Sequence, residues 1–514
     1  MTIRLPFNLA LLIAALAGAL TVPTSTHHNW WPLQIVVLAI LFAGISRAAT
    51  VRRSVLIGWA FGFGWTVCGI YWMFISMHRF GDMSAVLSAL AVIALSLFLA
   101  LFTGIATASA AWFKQRWAPS SAIVLLLVLP SAWTLSEWMR GWALTGFPWL
   151  TTGYAHTSSP LAGFAPLLGV YGVSWAVALL AGAVALLPFK KQSAISLVLI
   201  ILTLGVGYGL IMIDWTQANG QPISVRLLQG NVPQELKFDP RHIPPTLVLY
   251  RDMIRQAPAD LIATPETAMP LFLHQLPKDY LTQMSQYAQQ TNSHILLGLS
   301  VSDSYTVYAN SVIGITPEPF NRMNGIPYQY RYDKHHLVPF GETIPFGFHW
   351  FVAMLNMPLG SFTPGTTAQA PFAIKDQWVL PNICYEDLFG EEIADQISNN
   401  YFDGKPPASI LLNVSNIAWF GDSIALPQHL QISQMRALET GRPMLRSTNT
   451  GTTAVIDPKG RVVAKLAPYT RGTLSASVQG MQGVTPYILG GNWLIVSLTV
   501  LLLGIAYFLS RKKL

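Results

Sequence analysis

Long stretches without any charged residue are the feature that most constrains the fold of this chain. Six windows contain no Asp, Glu, Lys or Arg, and each is at least as long as the roughly 20 residues that a helix needs to cross a bilayer. They are Leu5–Ser46, Ser54–His78, Met83–Phe113, Trp117–Ser136, Gly141–Phe189 and Gln192–Ile213. Since 52% of the 514 residues are hydrophobic and only 11% are charged, the chain has the composition of an integral membrane protein.

These windows, with a last apolar stretch at Trp493–Leu509, predict eight transmembrane helices. Pro23 and the polar residues after it divide the first window into two spans, and the fifth window holds one span at about Leu161–Leu187. The first span resembles a signal peptide, but no convincing small-residue cleavage site follows it, so we expect it to stay in the protein. Glu137 and Arg140 flank the outer end of a span, where they form either a functional pair or a structural ion pair.

The Lys and Arg residues of the short loops predict the orientation of the chain. If the N-terminus is cytoplasmic, the outer short loops hold only Arg79 and Arg140. The inner loops then hold Arg4, Arg47, Arg52, Arg53, Lys114, Arg116, Lys190, Lys191, Arg511, Lys512 and Lys513. By the positive-inside rule, both termini are therefore cytoplasmic. We expect residues 1–213 to hold seven spans, residues 214–487 to form a domain on the far side, and residues 488–514 to form the eighth span and a cytoplasmic tail.

The region between the seventh and eighth predicted spans differs in composition and pattern. Charged residues appear there, and short β-branched runs alternate with helical patterns. The runs that predict strands are Val225–Gln229, Leu261–Thr264, Ile295–Val301, Ser311–Ile315, Trp378–Ile383, Ile410–Val414 and Thr453–Ile456. The helical patterns are Thr246–Gln256, Tyr280–Gln290 and Gln428–Thr440. Asp457–Gly460 predicts a turn between two strands. This order predicts an α/β domain with one sheet, or two packed sheets, and helices outside.

Cys384 is the strongest candidate for chemistry in this domain. It follows the apolar run Trp378–Ile383 and is one of only two cysteines, which excludes a disulfide framework. Glu266 is a candidate base and Lys334 a candidate cation, each beside a strand-like stretch, and a thiol with such partners suits acyl transfer. From the residues alone, Cys384 could equally be an inert buried residue, Glu266 a helix cap and Lys334 a surface cation. Cys68, inside an apolar segment, is predicted to be a packing residue.

Three motifs around these residues resemble the Glu-Lys-Cys triad of the nitrilase superfamily. They are Thr264-Pro265-Glu266-Thr267, Tyr332-Asp333-Lys334-His335-His336 and Ile383-Cys384-Tyr385-Glu386. Fused to membrane spans, this pattern resembles the apolipoprotein N-acyltransferase family in particular. Further matching stretches are Glu137–Gly141, Thr145–Trp149, Gln229–Asn231, Trp419–Ser423, Gln428–His429, Arg436–Glu439 and Gly441–Pro443. The resemblance implies a polytopic α-helical membrane protein of eight spans with an inserted αββα nitrilase-like domain.

The resemblance also assigns roles around the thiol. It implies that Cys384 is the nucleophile and that Glu266 is the general base and later the acid. It implies that Lys334 stabilises the thiolate and the oxyanion, with the main-chain N–H of Tyr385 as the second oxyanion donor.

Two further carboxylates receive accessory roles by the same resemblance. Glu342 would orient the lysine or the incoming nucleophile, and Glu386 would support the site, although a glutamate at a strand edge is also commonly a solvated charge. His335 and His336 are adjacent, so on a strand they point to opposite faces, and no third ligand follows at a usual spacing. We therefore predict no metal site.

Aromatic residues are the candidates for binding acyl chains. The stretch 346–358 is too apolar for an exposed loop, so it is either a core helix or an arm at the bilayer surface that guides acyl chains to the thiol. The candidate substrate-binding residues are Phe238, Phe340, Phe346, Phe348, Trp350 and Trp419. At Phe238 some members of the family carry Trp, and this chain keeps an aromatic residue there.

The function that the resemblance implies is the last acylation of bacterial lipoproteins at the inner membrane, with the 214–487 domain in the periplasm. The acyl donor would be a phospholipid, phosphatidylethanolamine or phosphatidylglycerol. The acceptor would be the α-amine of the S-diacylglyceryl-cysteine at the N-terminus of an apolipoprotein. No cofactor motif occurs, and the net charge of +8 needs no nucleic acid because the loop cations account for much of it.

Two alternatives stay open on the sequence alone. A membrane-tethered amidase or nitrilase would hydrolyse a small amide with water, and it would not need the apolar stretch 346–358. A transporter or scaffold with a catalytically dead domain would not need an intact triad, and it would be expected to have paired spans broken by Gly or Pro.

Overall fold

The computed structural model describes residues 6–304, 307–318, 328–345, 347 and 362–511. Within these ranges the chain forms two compact units. The first unit comprises the chain up to Phe74, Met83–Asp214 and the chain from Gly490 onward. The second unit comprises Ile75–Asp82 and Trp215–Leu489, so it includes a short segment from between the predicted membrane spans.

Apolar helices make up the first unit. Its longer helices are α1 (Phe7–Ala19), α2 (Trp31–Arg47), α3 (Val51–Gly69), α4 (Ala85–Trp117), α5 (Leu129–Trp142), α6 (Ala165–Leu186), α7 (Ser193–Ile211) and the C-terminal helix Trp493–Arg511. The short helical turns Ser121–Ile123 and Val124–Val128 lead directly into α5. Leu197, Val198 and Ile201 of α7 are exposed, as a surface that faces lipid requires.

Six helical segments of the described chain are long and apolar enough to cross a membrane. They are Phe7–Ser25, Ala85–Trp117, Ser121–Thr145, Pro160–Leu186, Ser193–Ile211 and Trp493–Arg511. Val51–Gly69 and Trp72–Phe80 pass the same test together but are bent by 48°, so they add a seventh span if the pair is one span. Trp31–Arg47 is apolar but has only 17 residues. Length and composition thus support six or seven spans, and the eighth stays a prediction.

The polar and sulfur-containing residues of the first unit have clear positions. Glu137 and Arg140 of α5 lie in its interior, each 4% exposed. One oxygen of Glu137 accepts hydrogen bonds from the main-chain N–H of Thr152 at 3.0 Å and from its hydroxyl at 2.5 Å. The prediction that Cys68 is a packing residue is wrong, because its side chain is exposed on α3. A helix that is apolar on all sides presents some of its residues to lipid, so apolar neighbours in sequence do not imply burial.

The second unit is built on β-strands. Within the described ranges these are β1 (Gln217–Ala218), β2 (Ile223–Gln229), β3 (Leu261–Ala263), β4 (His294–Ser302), β5 (Tyr308–Ile315), β6 (Tyr330–Asp333), β7 (Phe372–Ile374), β8 (Gln377–Ile383), β9 (Ile410–Ser415), β10 (Met444–Thr448), β11 (Ala454–Ile456), β12 (Val462–Lys465), β13 (Gly472–Val478) and β14 (Met481–Gln482). They form one six-stranded sheet in the order β13-β2-β3-β4-β5-β6, a second in the order β12-β11-β10-β9-β8-β7, and a small β1-β14 pair. β2, β3 and β4 run parallel, as do β8, β9 and β10.

The two large sheets face each other across a common core. Its buried side chains include Val225 and Leu296 from the first sheet and Val379 and Met444 from the second. Helices α8 (Ile243–Arg255) and α9 (Tyr280–Thr291) share a separate core with the outer face of the first sheet. Helices α10 (Gly390–Phe402) and α11 (Ala425–Thr440) cover the second sheet. The unit thus has the αββα layering expected from the sequence.

Each strand and helix predicted for this unit overlaps an observed one, and the turn at 457–460 joins β11 to β12. The sequence patterns did not predict α10 or the strands β1, β6, β7, β10, β13 and β14, and they gave no bounds for β12. α10 contains a Gly and two adjacent Asn residues, which have low helix propensity. β10 is buried along its whole length but carries Arg446 at its centre, which interrupts the apolar pattern that identifies a buried strand.

Helices α1 and α3 cross so closely that glycine is required at the crossing. A Cβ atom on Gly18 would lie 1.9 Å from the carbonyl oxygen of Phe61, and one on Gly64 would lie 1.9 Å from that of Ala15. Small residues let helix backbones approach in lipid, where van der Waals contact rather than the hydrophobic effect holds helices together. The α1–α3 contact therefore depends on both glycines.

We expect Gly64→Val to destabilise the protein, because the new side chain would force α1 away from α3. The free energy of unfolding should fall by about 1–3 kcal/mol, the usual cost of overpacking. Thermal unfolding of the full chain in detergent micelles measures this change. Gly205→Val in α7 is the matched control, since nothing lies within 4 Å of a Cβ there. Equal unfolding midpoints for the two variants would contradict the close crossing.

Candidate active site

Glu266 lies on a loop after β3 that packs directly against β4. The hydroxyl of Thr264 accepts a hydrogen bond from the N–H of Gly298 at 3.0 Å. The N–H of Met269 in turn donates to the carbonyl of Gly298 at 3.1 Å. A Cβ atom on Gly298 would lie 2.2 Å from the carbonyl oxygen of Pro265, so this approach requires glycine. The loop thereby holds Glu266 at the carboxyl end of β3.

Lys334 follows the edge strand β6 and is buried between two carboxylates. Its Nζ lies 2.8 Å from Glu342 and 3.5 Å from Glu266, and the residue is 1% exposed. The side-chain amide of Asn310 donates to both carboxylates, at 2.8 Å to Glu266 and 2.9 Å to Glu342. Burial by itself opposes the charge of Lys334, but the two carboxylates outweigh it and raise the pKa of Lys334 above its usual value. Lys334 therefore stays an ammonium at neutral pH.

Glu266 is held as an ionised carboxylate although it is only 8% exposed. Burial alone would raise its pKa, but the charges of Lys334 and Lys237 and the hydrogen bonds from Asn310 and Asn416 outweigh that effect. The N–H of Asn416 lies 2.8 Å from the second carboxylate oxygen. The net result is a pKa of Glu266 below its usual value. A carboxylate in this state can accept a proton at neutral pH, as a general base must.

Cys384 comes directly after β8, at the first residue of a sharp turn. Its φ is +55°, in the left-handed region that residues other than glycine rarely adopt, and such strain concentrates at functional sites. The thiol lies within the electrostatic influence of both Glu266 and Lys334. Burial, and then the negative charge of Glu266, raise the pKa of the Cys384 thiol well above its usual value, and Lys334 offsets only part of this. The resting site thus holds a neutral thiol beside an ionised base.

Glu386 joins the turn that carries the cysteine to the loop that carries the lysine. Its carboxylate accepts hydrogen bonds from the main-chain N–H groups of Ile383 and His335, both at 2.6 Å. It also accepts one from the hydroxyl of Tyr332 at 3.1 Å. Burial raises the pKa of Glu386 to about 7. Because these partners come from two different loops, Glu386 sets the distance between the lysine and the thiol.

A buried network behind Cys384 was not predicted from the sequence. The guanidinium of Arg446 can only donate, so Nδ1 of His429, 2.9 Å away, must accept, and the proton of His429 is on Nε2. Nε2 then donates to the carbonyl oxygen of Cys384 at 3.3 Å. Burial and the charge of Arg446 lower the pKa of His429 well below its usual value, so the ring is neutral. Arg446 is in turn paired with Asp387 and Ser433.

This network contacts the strained turn directly, because Nε2 of His429 donates a hydrogen bond to the carbonyl oxygen of Cys384 itself. The side-chain amide of Asn413, on the neighbouring strand β9, donates to the same oxygen at 3.3 Å. Arg446 and Asp387 are both fully buried, so each depends on the other for charge compensation. In the sequence, the one sign of this network was the family-like stretch Gln428–His429. Nothing in that stretch indicates that His429 is paired with Arg446.

The predicted aromatic residues occupy separate positions. Phe238 is 48% exposed in the turn after β2, and Phe340 has a φ of +64° in the loop between Lys334 and Glu342. Trp419 packs edge-to-face on Phe80, with ring centroids 5.8 Å apart. The ring of Tyr385 lies 5.3 Å from that of Phe389 and 5.7 Å from that of His336. Phe346, Phe348 and Trp350 lie outside the described residues.

A neutral thiol, an ionised carboxylate that could accept its proton and a buried ammonium thus lie at the ends of strands in an αββα unit. Residues 225–487 match the family described as carbon-nitrogen hydrolase, and residues 17–183 match the apolipoprotein N-acyltransferase N-terminal domain. The chain belongs to the apolipoprotein N-acyltransferase family.

Relatives over nearly the whole chain support this assignment. The chain is 49% identical over 504 residues to an apolipoprotein N-acyltransferase of Ralstonia nicotianae, covering 98% of this chain and 93% of that protein. It is 42% identical over 516 residues to an apolipoprotein N-acyltransferase of Nitrosomonas europaea, covering 98% of each chain.

A solved carbon-nitrogen hydrolase of Helicobacter pylori is 18% identical, with a TM-score of 0.36, and the match covers 56% of this chain and 94% of that chain.

We expect His429→Ala to slow acylation of Cys384, because the strained carbonyl loses its donor from the ring. A hydrogen bond of this kind contributes about 1 kcal/mol, so the rate should fall roughly fivefold. The readout is the rate at which an acyl adduct forms on Cys384 in a single turnover. His429→Gln keeps an N–H donor and should recover part of the rate at the same thermal stability. A rate in His429→Ala equal to that of the unaltered protein would show that the network has no influence on the nucleophile.

Proposed function

We propose that this protein moves an acyl chain from a phospholipid to Cys384 and from there to the α-amino group of the N-terminal S-diacylglyceryl-cysteine of apolipoproteins. The observation that carries the proposal is the buried Glu266 carboxylate, paired with Lys334 at 3.5 Å and placed beside Cys384 in its left-handed turn. The whole-length similarity to apolipoprotein N-acyltransferases supports the lipid donor and the amine acceptor.

The first half of the reaction loads the enzyme. Glu266 takes the proton of the Cys384 thiol as the sulfur attacks the ester carbonyl carbon of the phospholipid, so that an S–C bond forms and the carbonyl oxygen becomes an oxyanion. The intermediate collapses when the ester C–O bond breaks. Protonated Glu266 then gives the same proton to the leaving glycerol oxygen. The products are a thioester on Cys384 and a lysophospholipid.

The second half uses the same base in the same order. The free α-amine of the apolipoprotein attacks the thioester carbonyl, and Glu266 takes a proton from the nitrogen as the C–N bond forms. The C–S bond then breaks, and the proton on Glu266 returns to the sulfur of Cys384. An amide is formed and the neutral thiol is restored, so no external energy source is needed.

Stabilisation of the oxyanion falls to the groups around the thiol. Lys334 supplies a fixed positive charge, and the main-chain N–H of Tyr385, directly after the nucleophile, is the natural second donor. Glu342 accepts from Lys334 at 3.0 Å through one oxygen and from the N–H of Val338 at 2.9 Å through the other. These contacts favour a role for Glu342 in holding the lysine, with Glu386 positioning the two loops.

The proposal includes a location and a topology. The excess of Lys and Arg in one set of short loops favours eight spans with both termini in the cytoplasm and residues 214–487 in the periplasm. In this division, residues 1–213 hold seven spans and residues 488–514 hold the eighth. A site on that side of the inner membrane can receive both substrates, since phospholipid and diacylated apolipoprotein are anchored in the bilayer. Phosphatidylethanolamine and phosphatidylglycerol are the proposed donors.

The aromatic residues are proposed to contact the acyl chain of the donor. Phe238 follows Lys237 and offers an exposed ring, and Phe340 lies between Lys334 and Glu342 in sequence. Trp419, in the short helical turn after β9, supplies a further wall together with Phe80. For residues 346–358, the apolar sequence is the support for an arm that guides acyl chains.

Mass spectrometry of the purified protein after incubation with phospholipid alone tests the nucleophile. An acyl adduct should form on Cys384 and should be absent from Cys384→Ala, since only the thiol can form the thioester. Glu266→Gln should block the adduct by removing the base. Lys334→Ala should slow it by about 10²–10³, the range of a lost oxyanion donor. Cys68→Ala is the control and should behave as the unaltered protein.

The fate of the adduct separates transfer from hydrolysis. A thioester that persists in water and is discharged by a diacylated lipopeptide supports the acyltransferase. A thioester that water discharges as fast as the lipopeptide does would favour an amidase-like hydrolase instead. Normal adduct formation in Cys384→Ala would remove the assignment of the nucleophile.

Replacing Phe346, Phe348 and Trp350 with Ser tests the proposed arm. If these residues steer acyl chains, acylation by a long-chain phospholipid should fall about tenfold or more, because burial of one aromatic side chain is worth roughly 1.5–3 kcal/mol. Acylation by a short, water-soluble ester should change little. Equal losses with both donors in a folded protein would remove the lipid-specific role, and a protein that unfolds would support a core position for this stretch.

A further inference from the structure

A second lysine lies beside the base, and its only role described above is to help to keep Glu266 ionised. Lys237 is in the turn between β2 and α8 and is only 2% exposed. Its Nζ donates to the main-chain carbonyl oxygen of Glu266 at 3.2 Å. Its charge also interacts with the Glu266 carboxylate and with Cys384. Lys237 is therefore part of the immediate surroundings of the reacting thiol.

The two buried lysines differ in how many of their donors are occupied. The ammonium of Lys334 is engaged by both oxygens of Glu342 and by one oxygen of Glu266. Within the described part of the chain, the one acceptor found within hydrogen-bond distance of the Lys237 ammonium is the Glu266 carbonyl. An ammonium carries three N–H donors, so Lys237 keeps two for another partner.

Lys237 is held in place by the same residues that hold Glu266. The side-chain amide of Asn416 donates to Gln234 at 2.8 Å, while the N–H of Asn416 donates to the Glu266 carboxylate, also at 2.8 Å. Asn449 binds both the N–H and the carbonyl of Val232, at 2.9 and 2.8 Å. The turn that carries Lys237 is thus fastened to the frame of the active site at Val232 and at Gln234. A side chain placed this firmly is oriented before any substrate arrives.

The physical cost of the arrangement points to a ligand. A buried ammonium with one neutral acceptor is poorly compensated, and burial lowers the pKa of Lys237 to about 8, even though Glu266 and Cys384 act in the opposite direction. A methionine or leucine would fill the same space without that penalty. Buried cations that remain undersatisfied next to a nucleophile are typical of sites that bind a negatively charged group.

We propose that Lys237 is a second cationic residue of this active site and that its two remaining N–H donors bind a negatively charged oxygen of the acyl donor. This inference rests on the proposed acyl transfer from a phospholipid to Cys384. Two oxygens have the required charge: the phosphodiester of the donor, and the oxyanion that forms at the ester carbonyl. Both are stabilised by the same charge-assisted hydrogen bond.

The test compares three variants of the full chain in detergent micelles by the single-turnover rate of acyl adduct formation on Cys384. Lys237→Met removes the charge but keeps an unbranched side chain of similar length. Lys237→Arg keeps the charge. Lys405→Met is the matched control, because the side chain of Lys405 is 63% exposed and, among the residues that the structure describes, pairs only with Asp403.

Two donors distinguish the two oxygens: a long-chain phosphatidylglycerol and a neutral short-chain thioester that has no phosphate. With the phospholipid, Lys237→Met should lower the rate roughly 10- to 100-fold, the value of a charge-assisted hydrogen bond. If the partner is the phosphodiester, the neutral thioester should react normally. If the partner is the oxyanion, both donors should slow alike. Unchanged rates with both donors would overturn the proposal and leave ordered water as the partner of Lys237.

The dependence of the rate on pH covers the case in which Lys237→Met fails to fold. The titratable groups that act on Lys237 are Glu266 and Cys384, and Lys334 is paired with Glu266. The pKa of Glu266 is lowered, and the pKa values of Cys384 and Lys334 are raised. None of these three groups therefore titrates near pH 8. Glu386, with a pKa of about 7, titrates lower. As the pH rises through about 8, Lys237 loses its proton, and the rate should fall.

In Lys237→Arg this fall should move to higher pH, because a guanidinium keeps its proton. Identical pH profiles for Lys237→Arg and the unaltered protein would overturn the proposal. If the unaltered protein and Lys405→Met form no adduct from either donor, the proposed acyl transfer itself fails, and this outcome is distinct from failure of the role of Lys237.

Discussion

The burial of Lys334 between Glu266 and Glu342 is the interaction on which the rest of the site depends. Three charged groups have been removed from water, and each is tolerable only because the others compensate it. Burial by itself would raise the pKa of Glu266, and the lysine is the largest of the groups that lower it instead. An ionised Glu266 is in turn the group that can take the proton of a thiol whose own pKa is raised. The ion pairs of Lys334 are therefore a precondition for any reaction in which Glu266 takes the proton of Cys384.

Such a cluster needs several loops to be held at fixed distances, and the fold meets this need with buried polar side chains. Asn310 donates to the carboxylates of Glu266 and Glu342. Glu386 accepts hydrogen bonds from the main-chain N–H groups of His335 and Ile383, which lie beside the lysine and the cysteine. Behind the cysteine, Arg446 sets the tautomer of His429, which donates to the carbonyl of the strained residue. The cores between and outside the two sheets support these loops, since Glu266, Lys334 and Cys384 all follow the ends of strands.

Much of the fold could be predicted from the sequence, for identifiable reasons. Cys384, Glu266 and Lys334 each follow a β-rich run, and it was the resemblance of their motifs to a Glu-Lys-Cys triad that singled them out. The structure brings Lys334 and Glu266 together, as that resemblance implies. α10 and β10 could not be found, because two Asn residues in one and Arg446 in the other obscure the expected patterns. Lys237, His429 and Arg446 escaped notice for a related reason. A lone lysine, histidine or arginine in a mixed sequence has the appearance of a surface residue, and only packing shows that it is buried.

The sequence by itself determined which parts of the chain are apolar enough for lipid and which reactive groups are present, because hydrophobicity and chemical identity are local properties. The number of spans cannot be read from such local properties alone. It depends also on the bend between Val51–Gly69 and Trp72–Phe80 and on the 17-residue length of α2, which packing determines. Tertiary structure alone decided that Lys334 has two carboxylate partners and Lys237 has one carbonyl. It also decided which carboxylate is ionised. Charge states and free donors arise from burial and from neighbours distant in sequence, so they exist only once the chain is folded.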